Sequence, residues 1–283
     1  MKVFKELPKS IYYSLYLRLL SVDSLIENKT KLPVIVSLTS IPERLNNLDL
    51  VIRSVLNQDK VLPFKIVLWL HDGLKNKLPK RLSNLQGAFF EIKYSDLKCS
   101  HRKLIHSLKE YSEMPIITCD DDLIYREDWL SKLYKEHLKY PKDIIGNGVK
   151  QIKINADGSY EPYSKWGFKH GNHKENSLLP IGAWGILYPV NAMPSQVHDV
   201  DLFMKLAPKA DDLWFKAMAL TNNVISRQSS NKPAEPIPII GSQKVSLQQE
   251  NVKKKKNEVQ WLALSEFFKL NDILLKNEVS NKK

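Results

Sequence analysis

Hydrophobic and polar positions along this chain alternate between two periods. Residues 34–38, Val-Ile-Val-Ser-Leu, form a nearly continuous apolar run, the pattern of a strand covered on both faces. Pro42 introduces a helical pattern in which Leu48, Val51, Ile52, Val55 and Leu56 recur three and four residues apart. A second strand is predicted at 64–70, closed by the turn signal His71-Asp72-Gly73, and a weaker third at 89–94. Residues 102–111 read as a helix with Leu104, Ile105 and Leu108 inward, and 115–119 as a fourth strand. Asp128 is placed to cap a helix carrying Trp129, Leu130, Leu133 and Leu138. Strands separated by helical patterns predict βα units and a mainly parallel sheet flanked by helices.

Residues 11–20 carry apolar and aromatic side chains around most of a helix, with Lys2, Lys5, Lys9 and Arg18 about them. Such a segment either packs on the domain or lies at an anionic membrane surface, where tyrosines and lysines suit the headgroup zone. A second apolar segment runs from Trp261 to Leu275. No apolar stretch approaches the ~18 to 20 residues of a transmembrane helix, and the N-terminus has no signal-peptide pattern. Cys99 and Cys119 are the only cysteines, too few for a disulfide framework or a thiol zinc site, which fits a cytoplasmic protein.

The chain has 283 residues, 43% hydrophobic and 26% charged, with 43 basic against 31 acidic residues for a net charge of +12. That field favours an anionic partner. The excess is dispersed apart from the lysine run at 253–256, and no nucleic-acid-binding motif accompanies it. Neither GxGxxG nor GxxxxGK[ST] is present, so a dinucleotide dehydrogenase and a P-loop NTPase are disfavoured.

Asp120, Asp121 and Asp122 directly follow the apolar run at 114–119. Three carboxylates at one sheet edge repel unless a cation neutralises them. A divalent metal bridging to phosphate oxygens does so; an acidic turn leading into a helix cap is the alternative. Thr39 and Arg44 follow the first strand and Asp72 the second, so the polar candidates gather beyond the carboxyl ends of the strands, where open α/β sheets bind ligands. A second acidic pair, Asp211 and Asp212, opens the apolar helix at 213–220, where carboxylates also suit the helix dipole.

The ordered set formed by 34–38, SIPER at 40–44, Asp72, RKLI at 102–105, ITCDDDLIY at 117–125, GAWGILYP at 182–189 and ADDLWF at 210–215 resembles bacterial glycosyltransferases of the GT-A fold, family 2-like, that build capsule or lipopolysaccharide (O-antigen) sugars. The resemblance covers roughly residues 33–221. It implies a Rossmann-like α/β sheet with C-terminal elements on the acceptor side. The layout it suggests is an N-terminal helical segment at 1–30, a nucleotide-sugar-binding half at 31–150, an acceptor and catalytic-base half at 151–240, and a basic helical segment at 241–283.

By the same resemblance Asp122 and Asp120 would hold Mn²⁺ or Mg²⁺, while Asp120 or Asp121 faces the nucleoside. Thr39, Arg44, Asp72 and Lys103 would contact the nucleotide sugar, although Arg44 and Lys103 also read as surface residues. Trp184 and Tyr188 would line the acceptor pocket, or else pack in the core. Asp212 would be the catalytic base, with Asp211 as the fallback. Related enzymes often have glycines where this chain has Ala183 and Trp184, and a late histidine, here His170, His173 or His198, sometimes completes the metal shell. The activity implied is an inverting transfer from a nucleotide-diphosphate sugar, with UDP favoured, to a saccharide or lipid-linked acceptor. It would take place in the cytoplasm or at the inner membrane face. A nucleotidyltransferase or metal-dependent phosphohydrolase could use the same acid cluster, and a non-catalytic basic binding protein could retain the fold.

Overall fold

The apolar run at 34–38 is the middle of a longer strand, β1 (Thr30–Thr39). Val34, Val36 and Leu38 pack into one hydrophobic cluster and Ile35 into another, all fully buried. Both faces of the sheet are thus covered, as an unbroken apolar pattern demands. β2 (Val61–His71) lies parallel beside β1. Both strands start earlier than their apolar runs indicate, because Pro33 and Pro63 read as breaks in the sequence. Pro33 has no amide hydrogen to donate, and the β1–β2 register shifts between Leu32 and Ile35.

The computed structural model describes residues 2–169, 173–242 and 256–280. The remaining strands are β3 (Phe90–Ser95), β4 (Ile116–Thr118), β5 (Leu123–Ile124), β6 (Ile144–Gly146), β7 (Val149–Gln151), β8 (Lys174–Glu175), β9 (Leu178–Pro180), β10 (Ile186–Tyr188), β11 (Ser226–Gln228) and β12 (Ile237–Pro238). Eight of them form one sheet in the order β3-β2-β1-β4-β10-β6-β11-β8. β10 runs antiparallel to both β4 and β6, and β8 antiparallel to β11. The other sheet strands run one way, so this is a mixed α/β protein with a large, mainly parallel, Rossmann-like sheet. Strands before and after residue 150 share that sheet. Two short ribbons, β5 with β12 and β7 with β9, sit outside it.

Helices α1 (Lys2–Leu19), α2 (Val22–Ile26), α3 (Leu48–Leu56) and α4 (Lys80–Ser83) precede α5 (Arg102–Glu110) and α6 (Trp129–Lys139). They are followed by α7 (Val200–Leu206), α8 (Asp211–Thr221), α9 (Lys256–Phe268) and α10 (Leu270–Ser280). Core residues of α1, α3 and α6 belong to the Val34 cluster, and those of α5, α7, α8, α9 and α10 to the Ile35 cluster. Asp128 does occupy the position before α6, yet its side chain makes no cap bond and instead pairs with Lys132 at 2.7 Å. The segment from Trp261 to Leu275 is two helices, because Lys269 adopts φ 54° and ends the first.

α1 presents two faces. Leu17 is buried, Tyr13 and Tyr16 pack on the core, and Ser10 Oγ donates to the carbonyl of Pro238 at 2.7 Å. Leu7, Ile11, Tyr12, Leu15 and Leu19 are exposed. Among the described residues no helix is long and apolar enough to cross a membrane.

β10 enters the sheet through a tight turn at Gly185, which holds φ 93°. A Cβ there would lie 2.5 Å from Trp129 Nε1, the group that donates to the carbonyl of Trp184 at 3.0 Å. Gly185→Ala is therefore expected to destabilise the protein by about 2 kcal/mol or more. Gly87→Ala, with open space at its Cβ, should stay within about 0.5 kcal/mol of wild type. Urea unfolding of the two variants checks both values.

Candidate active site

The polar residues predicted at the carboxyl ends of the strands do gather there, though not all of them. β4 ends at Thr118 and hands the chain to Asp120, Asp121 and Asp122, while the antiparallel β10 begins opposite, with Ile186 against Thr118. The turn before β10, residues Gly182–Trp184, is thereby brought against the end of β4. The N-terminus of α8 approaches from the other side: Asp212 Oδ2 accepts the Gly182 N–H at 3.0 Å.

Lys103 sits at the middle of this meeting point. As a lone lysine in the first turn of α5 it could have pointed to solvent, but the structure buries it. Its Nζ lies 3.1 Å from Asp120 Oδ1 and 2.9 Å from Asp211 Oδ2. Burial works against its charge, yet Asp120, Asp211 and Asp212 outweigh burial and hold the ammonium well above the ordinary lysine range. α5 is fixed to the sheet by Ser37, the one polar side chain of the β1 apolar run. Ser37 Oγ donates to the carbonyl of Lys103 and lies 2.7 Å from Ser107 Oγ, which also accepts from Trp69 Nε1 at 2.8 Å.

A second cation serves the other side of the acid run. Arg44, on the 3-10 turn Pro42–Asn47, pairs with Asp121 through Nη1 and with Asp122 Oδ2 through Nη2 at 3.0 Å. Burial opposes the Arg44 charge, and the two carboxylates more than compensate. Asp121 also accepts from Ser40 Oγ at 2.6 Å. Burial pushes its carboxyl upward, and Arg44 and Ser40 pull back only part of that rise. Thr39 does not face the acids: its hydroxyl donates to the carbonyl of Trp69 at 2.7 Å and accepts from Arg102 Nε.

The late acidic pair divides its roles. Asp211 is buried, accepts from Ser100 Oγ at 2.8 Å and pairs with Lys103. Burial raises its carboxyl, but Lys103, and His101 after it, outweigh that and hold it below the usual range. Asp212 is partly accessible and is pushed up to about 7, first by burial and then by the neighbouring Asp211 charge. Environments that drive two carboxyls apart mark out an acid–base assignment, and a carboxyl near 7 can carry a proton either way at neutral pH.

Gly182 keeps this cluster open. A Cβ on it would lie 3.0 Å from Asp212 Oδ1, 3.2 Å from Lys103 Nζ and 3.5 Å from Asp120 Oδ1, so the missing side chain leaves a niche bounded by all three charges. The Tyr125 hydroxyl accepts the Asp120 N–H at 2.8 Å and donates to the carbonyl of Ala183 at 3.2 Å, tying the acid run to the glycine turn.

The other expected residues lie at differing distances from the charge cluster. Asp72 is exposed at the end of β2 and pairs with Lys75 at 3.0 Å. Tyr188 is buried within β10 and lines, with Asp212, Phe215, Lys216 and Ser226, a small pocket. Trp184 is half-buried beside the glycine turn. His173 lies 4.0 Å from Glu175 next to the edge strand β8, His198 is on the turn Ser195–His198, and His170 lies outside the described residues.

Ser40, Ser100, His101 and Tyr125 were missed by sequence reasoning. One signal was available for the α5 end. Lys103 places a charge in the first turn of a helix, against the dipole, a cost that the carboxylates of Asp120 and Asp211 offset. His101 is fully buried, stacked on Phe203 with ring centroids 4.3 Å apart, and among the described residues neither ring nitrogen has a hydrogen-bond partner.

No protein-family profile matches the chain, and no curated protein matches it. Among solved structures it is similar to residues 1–349 of TarS from S. aureus, at 15% identity and TM-score 0.46 over 74% of this chain, and to the same protein in complex with UDP, at 15% and 0.45 over 72%. The chain spans 59% of the length of each. It is also similar to 4-diphosphocytidyl-2C-methyl-D-erythritol synthase from Anaerococcus prevotii, at 11% identity and TM-score 0.44, over 84% of this chain and 99% of that one. At these scores the superpositions are loose, and the chemistry of this chain has to be read from its own residues.

Burial pulls the His101 imidazole down to about 4, so the folded state resists a proton that the unfolded chain takes up near 6.5. The sign follows: His101 is harmless above pH 6.5 and removes stability as pH falls from 6.5 to 4, by on the order of 3 kcal/mol. Asp212 acts oppositely in the same window, because its raised carboxyl burdens the fold at high pH and is relieved as pH falls. The difference between wild type and His101→Leu isolates the histidine. It should grow in favour of the variant from pH 7 to pH 4 in urea titrations.

Proposed function

We propose that this chain is a metal-dependent, inverting glycosyltransferase that moves a sugar from a nucleoside-diphosphate donor, a UDP-sugar first, to a saccharide or lipid-linked saccharide acceptor of the surface-polysaccharide kind. The observation that carries the reading is the niche at Gly182, where Asp120, Lys103 and Asp212 converge and where the Asp212 carboxyl titrates near 7. In this reading Asp212 takes the proton of the acceptor hydroxyl. The hydroxyl oxygen forms the new glycosidic bond at the anomeric carbon from the face opposite the donor phosphate, the carbon–phosphate oxygen bond breaks, and the electron pair leaves with the nucleoside diphosphate. One carboxylate at the acceptor suffices, unlike the flanking pair of a hydrolase.

The acid run has the donor chemistry of a divalent-metal site. Among the described residues, Asp120, Asp121, Asp122, Asp211 and Asp212 gather about Lys103 and Arg44. Among the described residues no group of three or more His, Cys, Asp or Glu side chains forms a metal cage. Hard carboxylate oxygens at a strand end fit Mg²⁺ or Mn²⁺ in their usual manner, with one or two protein ligands and the remainder from phosphate and water. Asp120 and Asp122 would hold the ion, which when bound offsets charge on the departing diphosphate. Arg44 and Lys103 would meet the donor phosphates. The exposed apolar face of α1 and the net charge of +12 support a peripheral contact with an anionic membrane.

Incubation with UDP-, GDP- and CMP-sugars should release nucleotide from one donor, and EDTA should suppress the release. Asp212→Asn should slow it by about 10²- to 10⁴-fold while UDP with Mn²⁺ still raises the melting temperature. A base works deprotonated, so release should rise with pH and reach half its plateau near pH 7. Pyrophosphate release from a nucleoside triphosphate would transfer the site to a nucleotidyltransferase. Failure of every donor, with no melting shift from UDP and Mn²⁺, would end the proposal.

A further inference from the structure

Beside the glycine turn stands a group of rings and lysines that the donor chemistry does not use. Trp184 and Phe168 are stacked, with centroids 5.7 Å apart and planes at 30°. The Trp184 ring lies on Gly148, whose Cβ would come within 2.7 Å of it, so the glycine is what lets the indole lie flat on the chain. Lys150, on β7, holds its ammonium 4.4 Å from the Tyr163 centroid and 5.6 Å from that of Phe168. Lys232 approaches the other end, 5.4 Å from the Trp184 centroid. The platform adjoins Asp212. Trp184 is two residues from the Gly182 amide that holds this carboxylate, and the Tyr163 phenol, raised mainly by burial, also feels the Asp212 charge.

Both lysines are half-buried, and among the described residues neither forms a salt bridge. Burial alone lowers the Lys150 ammonium. Ring faces return part of the lost hydration by cation–π attraction, but a carboxylate or phosphate would return more. Neutral saccharides gain from aromatic faces alone and have no need of two ammonium groups set beside them. We propose that Lys150 and Lys232, set on the rings of Tyr163, Phe168 and Trp184, form an acceptor subsite for a saccharide bearing a negative charge, a phosphate or a carboxylate. This deepens the glycosyltransferase reading and rests on it for the word acceptor, whereas the binding itself can be measured apart.

Calorimetric titration of the full chain at low salt with glucose, glucuronate, glucose 6-phosphate and inorganic phosphate provides the test. At least one charged sugar should bind about tenfold more tightly than glucose, and added salt should erode the preference. Glucuronate against glucose 6-phosphate tells which anion is meant. Lys150→Gln and Lys232→Gln should each reduce the preference, and Lys150→Arg should retain it in a protein of unchanged melting temperature. The idea is wrong if glucose binds as well as its charged forms, if inorganic phosphate binds as tightly as the sugar phosphate, or if both glutamine variants keep the preference. It is equally wrong if those variants weaken UDP as much as the charged sugar, which would give the lysines to the donor. A charge preference that persists while UDP produces no melting shift would keep the subsite and remove the donor reading.

Discussion

The arrangement depends on one ammonium group shared between two carboxylates. Lys103 joins Asp120, at the end of β4, to Asp211, at the start of α8, and these acids are far apart in the chain. Without it, the buried Asp211 carboxylate would lose its ion pair, at a penalty of several kcal/mol, or would protonate, and the partly exposed Asp120 would lose its partner. With it, the third acid becomes distinctive. Burial and the Asp211 charge push Asp212 up, and Lys103, already engaged by Asp120 and Asp211, offsets too little of this, so the Asp212 carboxyl moves to about 7. The difference between the adjacent acids of α8 follows from how one lysine is apportioned.

Strand polarity made much of this legible in advance. Residues 34–38 and 66–70 are buried on both faces, and such runs can be recognised from composition alone. Once they are read as parallel strands, Asp120, Asp121, Asp122 and Arg44 must share an edge, and they do. The acidic start of α8 was equally plain. What the sequence concealed came from contacts made across the sheet. β10 runs against its neighbours, and only that reversal lays the turn at Gly182 against Lys103 and Asp212. Ser37 was visible as a lone hydroxyl in an apolar run, but its task, holding α5 so that Lys103 points inward, needed the helix position. Asp72 had the right place at a strand end and turned out to pair with Lys75, because strand ends define an edge and not the distance along it. Pro33, Pro63 and Lys269 hid the true element boundaries for local reasons.

Two glycines act by what they omit. Gly182 leaves room beside three charged groups, and Gly148 lets the Trp184 ring settle flat on the backbone. The proposed chemistry and the proposed acceptor platform therefore meet along one short stretch of chain, from Gly182 to Trp184. Any side chain added there would alter both together.

The backbone of Asp122 has partners outside the charge network. Its carbonyl accepts the Ile239 N–H at 2.9 Å and the Ser242 hydroxyl at 3.3 Å, just beyond β12, whose Pro238 carbonyl receives the hydroxyl of Ser10 on α1. A helix with an apolar outer face and the loop that carries the acids are consequently two ends of one short strut. Whatever presses on the outer face of α1 loads the same strand that braces Asp122, so adhesion at the periphery and the state of the acid loop are mechanically in series.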